Sequence, residues 1–335
     1  MAILPSSGVS VWEPFRLAPW VSERPWGFKD LRPWYDLVAK SEPIGEVWLT
    51  GDQCLAATGA HAGKTLAAIF HEAPEAMLGA HAPSPDSPLL LKVIFAKEKL
   101  SVQVHPDDKM AQKYGDPRGK TECWYALAAD PGAQLALGLK PGVTTDVVKT
   151  GIEDGTLEES LAVVNVAAGD MVFVDAGTVH AIWPGSILLE TQQNCDLTYR
   201  MYDYGRGREL HIEKSLEATR LQTLAGKVAP MVLKDRTVLI DEAYFCVERI
   251  SVPGSRAGKS LRREREAARG LQYLFAAEGS GRIISASANE PAFEAVELPT
   301  RSIVAIPAAS PEFVVENLGG LDLIRITPRW PSEKQ

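Results

Sequence analysis

A chain of 335 residues with 45% hydrophobic and 23% charged residues has room for two domain-sized cores, and this composition excludes a disordered or fibrous protein. A formal net charge of −8 argues against nucleic acid or an anionic membrane surface as the main partner, so any anion site must bring its own lysines and arginines. Four cysteines, Cys54, Cys123, Cys195 and Cys246, form no CxxC pair, which predicts reduced thiols in a reducing compartment. The opening MAILPSSGVSVWEPF has no basic start before an apolar core, and no apolar run approaches the roughly 20 residues of a membrane helix. The expectation is a cytoplasmic protein.

Residues 1–60 are rich in Trp and Pro, and Ile44-Gly45-Glu46-Val47-Trp48-Leu49 alternates like a strand. The tryptophans are expected to cover one end of a sheet, with ligand stacking as the lesser role. Leu66–His71 has a short helical pattern, and Ala82–Pro88 is a breaker-rich loop. His61, His71 and His81 have no partner at ligand spacing and are expected on the surface. Leu89–Phe95 reads as a strand buried on both faces. Lys92 in its middle must either meet an anion or send its stem to the surface.

Alternation continues through Ser101-Val102-Gln103-Val104-His105, placing Ser101, Gln103 and His105 on one face and the valines on the other, before Pro106 ends the ladder. Gln103 and His105 side by side suit metal ligation or substrate hydrogen bonding, and equally suit a polar sheet face. Asp107–Tyr114 is expected to form one or two helical turns, and the next strand puts Lys120, Glu122 and Trp124 on one face. Thr144 or Thr145 can cap a helix, and Thr156-x-x-Glu159 reads as a capping box opening a second. Strands are expected at Gly169–Val174, His180–Ile182, Ile187–Gln193 and Leu197–Tyr204, then a helix over His211–Leu221. Beyond about residue 228 come more short strands, at Tyr244–Val252, Leu271–Ala277, Arg301–Ile306 and Leu321–Thr327. Many short strands and few helices predict a mostly β protein, a sandwich or barrel occurring twice.

Gly169-Asp170-Met171-Val172-Phe173-Val174-Asp175-Ala176-Gly177-Thr178-Val179-His180 runs from a strand through a glycine turn into a second strand. With Gln103-x-His105 and Glu122 it resembles the two-motif metal signature of the cupin superfamily, Asp175 replacing the usual proline. Two neutral imidazoles and one carboxylate suit a borderline divalent ion such as Zn²⁺ with open positions. Four longer stretches narrow the resemblance: Leu100–Asp108, Gly119–Tyr125, Ala176–Ala181 and Leu189–Tyr204 are similar to type I mannose-6-phosphate isomerases of the short bacterial form. Phe28 stands where a second glycine is more usual in that family, and Cys195 where serine is usual.

The resemblance implies two cupin-like double-stranded β-helix barrels with a few short helices. Residues 1–225 would form a catalytic metal-binding domain with a small helical insertion, and residues 226–335 a degenerate cupin-like β domain without metal ligands. Arg301–Glu312 overlays the second motif, with Arg301 at its first glycine, Pro307 at the proline, Ala309 at the second glycine and Glu312 at the histidine. By resemblance His105, Glu122 and His180 carry over as ligands of one Zn²⁺ per chain, Gln103 as a fourth beside the three-ligand set, and Arg200 as a catalytic arginine. The implied reaction interconverts mannose 6-phosphate and fructose 6-phosphate through a cis-enediol. It needs charge stabilisation on the sugar oxygens and a base, for which Glu190 and Lys120 (its pKa lowered by its surroundings) both qualify. Lys92, Arg200, Arg206 and Arg208 are phosphate candidates, with a solvated turn the alternative for the last two, and Ser101 joins Lys92 as a substrate-binding candidate. Isomerisation of another sugar, a non-catalytic sugar-binding cupin and a 2-His-1-carboxylate iron oxygenase stay open alongside this reading.

Overall fold

The computed structural model describes residues 12–80, 82–252, 270–287 and 289–331. Two compact units emerge, each assembled from separated stretches of chain. One comprises Val21–Trp48 and Leu89–Ala229; the other comprises Met1–Trp20, Leu49–Pro88 and Pro230–Gln335. The described residues among 12–20 and 49–88 therefore cluster with the described C-terminal residues, not with the strands around His105 as a simple cut after residue 225 has it.

The first unit carries two antiparallel sheets. Seven strands run in the order Gly226–Val228, Met171–Val174, Glu122–Ala129, Ser186–Gln193, Leu89–Ala96, Ile44–Trp48 and Trp20–Phe28. Five more run Tyr199–Tyr202, Val102–Val104, His180–Ile182, Gln134–Leu139 and Leu161–Asn165. Hydrogen bonds close neither sheet into a barrel among the described residues. Their inner faces share one core, including Ile94, Trp124, Ala126, Leu135, Val172, Ile182 and Leu188. Alternation sends Val102, Val104, Ala136 and Ala181 to the other side of the smaller sheet, where they pack with Met110, Val148, Ile152 and Ala218 of three short helices. The valine face of Ser101–His105 is thus the helix-covered face, and Gln103 is left pointing between the sheets. Gly27 is required where its strand meets its neighbour, because a Cβ there would lie 2.1 Å from the Ile44 carbonyl oxygen.

The helices follow their caps. Asp107 accepts from Met110 N to start Asp108–Lys113, and Thr144 accepts from Val147 N to start Thr145–Asp154. Thr156 makes no side-chain cap bond, and Leu157–Ser160 is a single 3₁₀ turn instead of the expected capped helix. The helix predicted over His211–Leu221 is shorter, Ile212–Ala218. Asp175 compensates for the missing proline: its Oδ1 accepts from Thr178 Oγ1 at 2.8 Å and from Leu224 N at 3.1 Å.

The second unit is built on a nine-stranded sheet. Its main path runs Met231–Val232, Arg236–Asp241, Phe245–Ser251, Phe313–Pro328, Gln272–Ser285, Ile303–Ile306, Phe15–Ala18 and Leu55–Ala56, with Val296–Leu298 paired to Gln272–Ser285. Its core includes Ile250, Leu274, Ala276, Val304, Ile306 and Leu323. The turns of the two units repeat one another. Gly169 N donates to Ala126 O at 2.8 Å and Ala126 N to Asp170 O at 2.9 Å; Arg301 N donates to Ala276 O at 2.6 Å and Ala276 N to Ser302 O at 3.2 Å. Arg301 has φ 59°, the left-handed region that Gly169 occupies at φ 91°. The overlay of Arg301 on the first motif glycine is therefore present in the backbone, without the glycine.

His61 corrects the sequence reading. It is only 3% exposed, with its ring 4.7 Å from that of Trp12 and 5.7 Å from that of Phe15. His71 is exposed, near Asp86, as expected, and His81 lies outside the described residues.

Candidate metal centre

The polar cluster sits where the shared core of the first unit stops. Strand register brings it together: His180 stands opposite Gln103, which stands opposite Arg200 on the next strand, while on the larger sheet Glu122 pairs with Gln192 and Trp124 with Glu190 and then Lys92. Cross-strand partners project to the same side, so these rows face one another between the sheets. One donor atom from each of His105, Glu122 and His180 falls within 4.8 Å of the others, and all three residues are at most 1% exposed.

Each imidazole is oriented by a backbone carbonyl. His105 Nδ1 donates to Leu197 O and His180 Nδ1 to Thr178 O, both at 2.9 Å, which leaves both Nε2 lone pairs turned toward the cluster. Burial, followed by Lys120, holds His105 well below the usual histidine range, and burial takes His180 down to about 4. Both rings are neutral near pH 7, the state a metal requires. Glu122 Oε1 lies 3.4 Å from His180 Nε2 and accepts no hydrogen bond. Burial and the charge of Glu190 push this carboxyl up to about 8. Three buried, convergent acceptors with a lone pair each make a site that demands a cation. Here the ammonium of Lys120 meets part of that demand, 3.0 Å from His105 Nε2 and 2.9 Å from Glu122 Oε2. The residues fit a divalent ion of the Zn²⁺ type by donor chemistry. Gln103 lies beside them, its amide nitrogen 3.2 Å from His180 Nε2.

Next to the donors runs a buried ion chain. Lys92 Nζ is 2.8 Å from Glu190 Oε2 and 3.7 Å from Glu46 Oε1, so the anion that a buried lysine requires is present twice. Burial would lower Lys92, but Glu190 and Glu46 raise it. Burial would likewise raise Glu190, yet Lys92, Lys120 and the Trp124 indole, donating at 2.9 Å, bring it down to about 2. Lys120 corrects a sequence expectation: burial favours its neutral form, but Glu122 and Glu190 raise its pKa. Ser101 is buried, its hydroxyl 3.5 Å from Gln103 Oε1.

Arg200 is half-buried at the rim. Its NH1 donates to Glu209 O at 2.9 Å, while its Nε is buried with no hydrogen-bond partner. Burial lowers its pKa, and Arg208 and Arg24 add to the effect, so several cations gather at this rim. Arg206 and Arg208 are otherwise engaged: both bind the buried Asp203, Arg208 through Nε at 2.8 Å and NH2 at 2.5 Å. They shape the turn after Tyr199–Tyr202. Sequence reasoning did not single out Glu46, Arg24 or Gln192. Arg24 NH2 lies 3.2 Å from Glu46 Oε2, and the Trp48 indole donates to the same oxygen at 2.7 Å. The alternation of Glu46 and Trp48 was the available signal.

The family pattern of the phosphomannose isomerase type I catalytic domain matches residues 15–138. The probable mannose-6-phosphate isomerase GmuF of Bacillus subtilis is 35% identical over 293 residues, 81% of this chain and 88% of that protein. This chain belongs to the type I phosphomannose isomerase family. The mannose-6-phosphate isomerase of Streptococcus mutans is 34% identical over 257 residues, covering 72% of this chain and 80% of its own. Among solved structures, the mannose 6-phosphate isomerase from Bacillus subtilis superposes with a TM-score of 0.82 at 29% identity, over 94% of this chain and 99% of that one. The phosphomannose isomerase resemblance read from the four motifs is borne out, and with it the mostly β, cupin-type architecture. No helix among the described residues is long and apolar enough to cross a membrane.

Proposed function

We propose that the protein is a Zn²⁺-dependent mannose-6-phosphate isomerase, interconverting that sugar phosphate with fructose 6-phosphate through a cis-enediol. The observation that carries the reading is the meeting of His105, Glu122 and His180 within 4.8 Å, in a chain of this family. His105, Glu122 and His180 would hold the ion, with Gln103 beside them as a fourth donor. A divalent ion there would supply Lewis acidity toward the sugar's carbonyl and hydroxyl oxygens. Lys120, buried between His105 and Glu122, is the base of this reading; burial favours its neutral amine, against Glu122 and Glu190, which raise its pKa. As the amine, Lys120 would take the proton from C2 while the C–H electron pair forms the C1=C2 double bond and the C1 carbonyl oxygen gains a proton; the O2 proton then leaves as C2=O forms, and the double-bond electrons take the proton back at C1. Glu190 is the weaker base, being ionised down to about pH 2 and held by Trp124 and Lys92. Its role is to fix Lys92 and the wall of the site. Arg200, with Arg24 near it, brings positive charge to the substrate's oxyanions. An assay coupling fructose 6-phosphate formation to a dehydrogenase tests the reading. Turnover that Arg200→Ala sharply reduces supports it; no turnover by zinc-loaded protein refutes it.

A further inference from the structure

The registers of the two units match residue by residue around their polar ends. With Gly169 and Ala126 laid on Arg301 and Ala276, Gln272 takes the place of Glu122, and its partner Ile306 the place of Val174. Two residues along, on the same face, Trp124 is opposite Glu190, which is opposite Lys92; Leu274 is opposite Arg325, which is opposite Glu248. On the next strand Glu46 stands opposite Ile94, and Arg236 opposite Ile250. The contacts persist with the signs exchanged. Lys92 bridges Glu46 and Glu190, whereas Glu248 bridges Arg236 Nε at 2.7 Å and Arg325 NH2 at 2.5 Å. A carboxylate–ammonium–carboxylate chain has become guanidinium–carboxylate–guanidinium.

This inverted chain lines a cavity of about 520 Å³, together with Gln272, Arg329 and Trp330. Of the charged lining residues, Arg236, Arg325 and Arg329 are cationic and Glu248 anionic, with Asp235 and Asp241 pairing Arg236 and Arg329 outside the lining. Gln272 is 9% exposed and its Oε1 accepts no hydrogen bond. Within the lining three guanidiniums stand against one carboxylate, which suits an oxyanion, and the buried amide oxygen of Gln272 in the same cavity calls for a hydroxyl donor. Trp330 adds an apolar wall of the kind sugar C–H groups pack on.

We propose that this cavity is a second ligand site, taking a small molecule that joins an oxyanion to hydroxyl groups, such as a phosphate monoester of a polyol or a hydroxy acid. The oxyanion pairs with Arg325 and Arg329, and a hydroxyl donates to Gln272 Oε1. The test uses the full chain labelled with 5-fluorotryptophan, the Trp330 signal being assigned through Trp330→Phe. Titration with glycerol phosphate, gluconate and inorganic phosphate should shift that signal saturably, with glycerol phosphate binding more tightly than inorganic phosphate. Gln272→Glu, which adds negative charge at nearly constant volume, should weaken binding at least about tenfold. Arg329→Gln, at an exposed position that leaves folding intact, should weaken it about threefold. Arg200→Ala should leave it unchanged, which separates this cavity from the metal centre. An unmoved Trp330 signal, or equal affinity in the wild type and Gln272→Glu, overturns the proposal, and equal affinities for glycerol phosphate and inorganic phosphate overturn the hydroxyl assignment.

Discussion

The inner face of each unit is apolar at one end and ionic at the other, and the two ionic ends carry opposite signs at matching positions. Around Lys92 two carboxylates flank a cation; around Glu248 two guanidiniums flank an anion. What the scaffold keeps is alternation of charge across neighbouring strands, since a buried ion is tolerated only beside its counter-ion. What it leaves free is the sign, and the sign decides the ligand. Where Glu122 and two imidazoles stand above the chain, the site demands a cation. Where Gln272 replaces Glu122, and the exposed Glu312 occupies the position matching His180, the described residues present no such demand.

The largest expected effect comes from making the first end resemble the second. Glu122→Gln should cut turnover by roughly 10³-fold or more, measured as kcat/KM, because it removes the carboxylate assigned to the metal in the proposed function. The mirror change, Gln272→Glu, should alter turnover less than about twofold; a large loss there would break the contrast. Lys92→Met leaves Glu46 and Glu190 buried without their shared cation and should cost about 3–5 kcal/mol in denaturant unfolding. Glu248→Met should cost less, about 1–3 kcal/mol, since Arg236 is a third exposed and can be solvated. Equal costs would mean that the two chains are not buried differently. Arg200→Lys keeps the charge but not the planar fork and should lower kcat/KM about 10²-fold with unchanged circular dichroism.

The smallest effect is a pH dependence confined to the first end. Glu122 is raised from 4.5 to about 8, so its protonation favours the folded, metal-free chain, fully below pH 4.5 and less and less as pH rises through 8. Between pH 6.5 and 8.5 the folded chain's histidines are neutral and Glu190 is ionised, so Glu122 is the group of this cluster that titrates in the folded state; the unfolded histidines, losing their protons near pH 6.5, offset part of its effect. Chelator-treated protein should therefore melt lower at pH 8.5 than at pH 6.5, and added zinc should raise the melting temperature more at the higher pH. Glu122→Gln should flatten both trends.

Much of the first site was legible because strand alternation is local. Ser101–His105 and Lys120–Trp124 each declare their inner face within five residues, and the glycine turn before His180 fixes where that ring begins. Pairing between distant strands is not local. The ion chain Glu46–Lys92–Glu190, the rise in the Lys120 pKa caused by Glu122 and Glu190, and the exchanged chain around Glu248 all depend on register across the sheets. Burial of His61 against Trp12 and Phe15 was hidden for the same reason. The Thr156–Glu159 spacing failed differently. It carries the letters of a capping box, but the segment forms a single 3₁₀ turn before the strand Leu161–Asn165 begins.

Metal content, measured by elemental analysis with zinc-edge absorption on protein purified without added metal, tests the central assignment most directly. One zinc per chain, bound by two imidazoles and lost in Glu122→Gln, is the expected result. Protein that neither carries nor takes up zinc, or a Glu122→Gln variant that keeps it in full, would contradict the assignment of His105, Glu122 and His180.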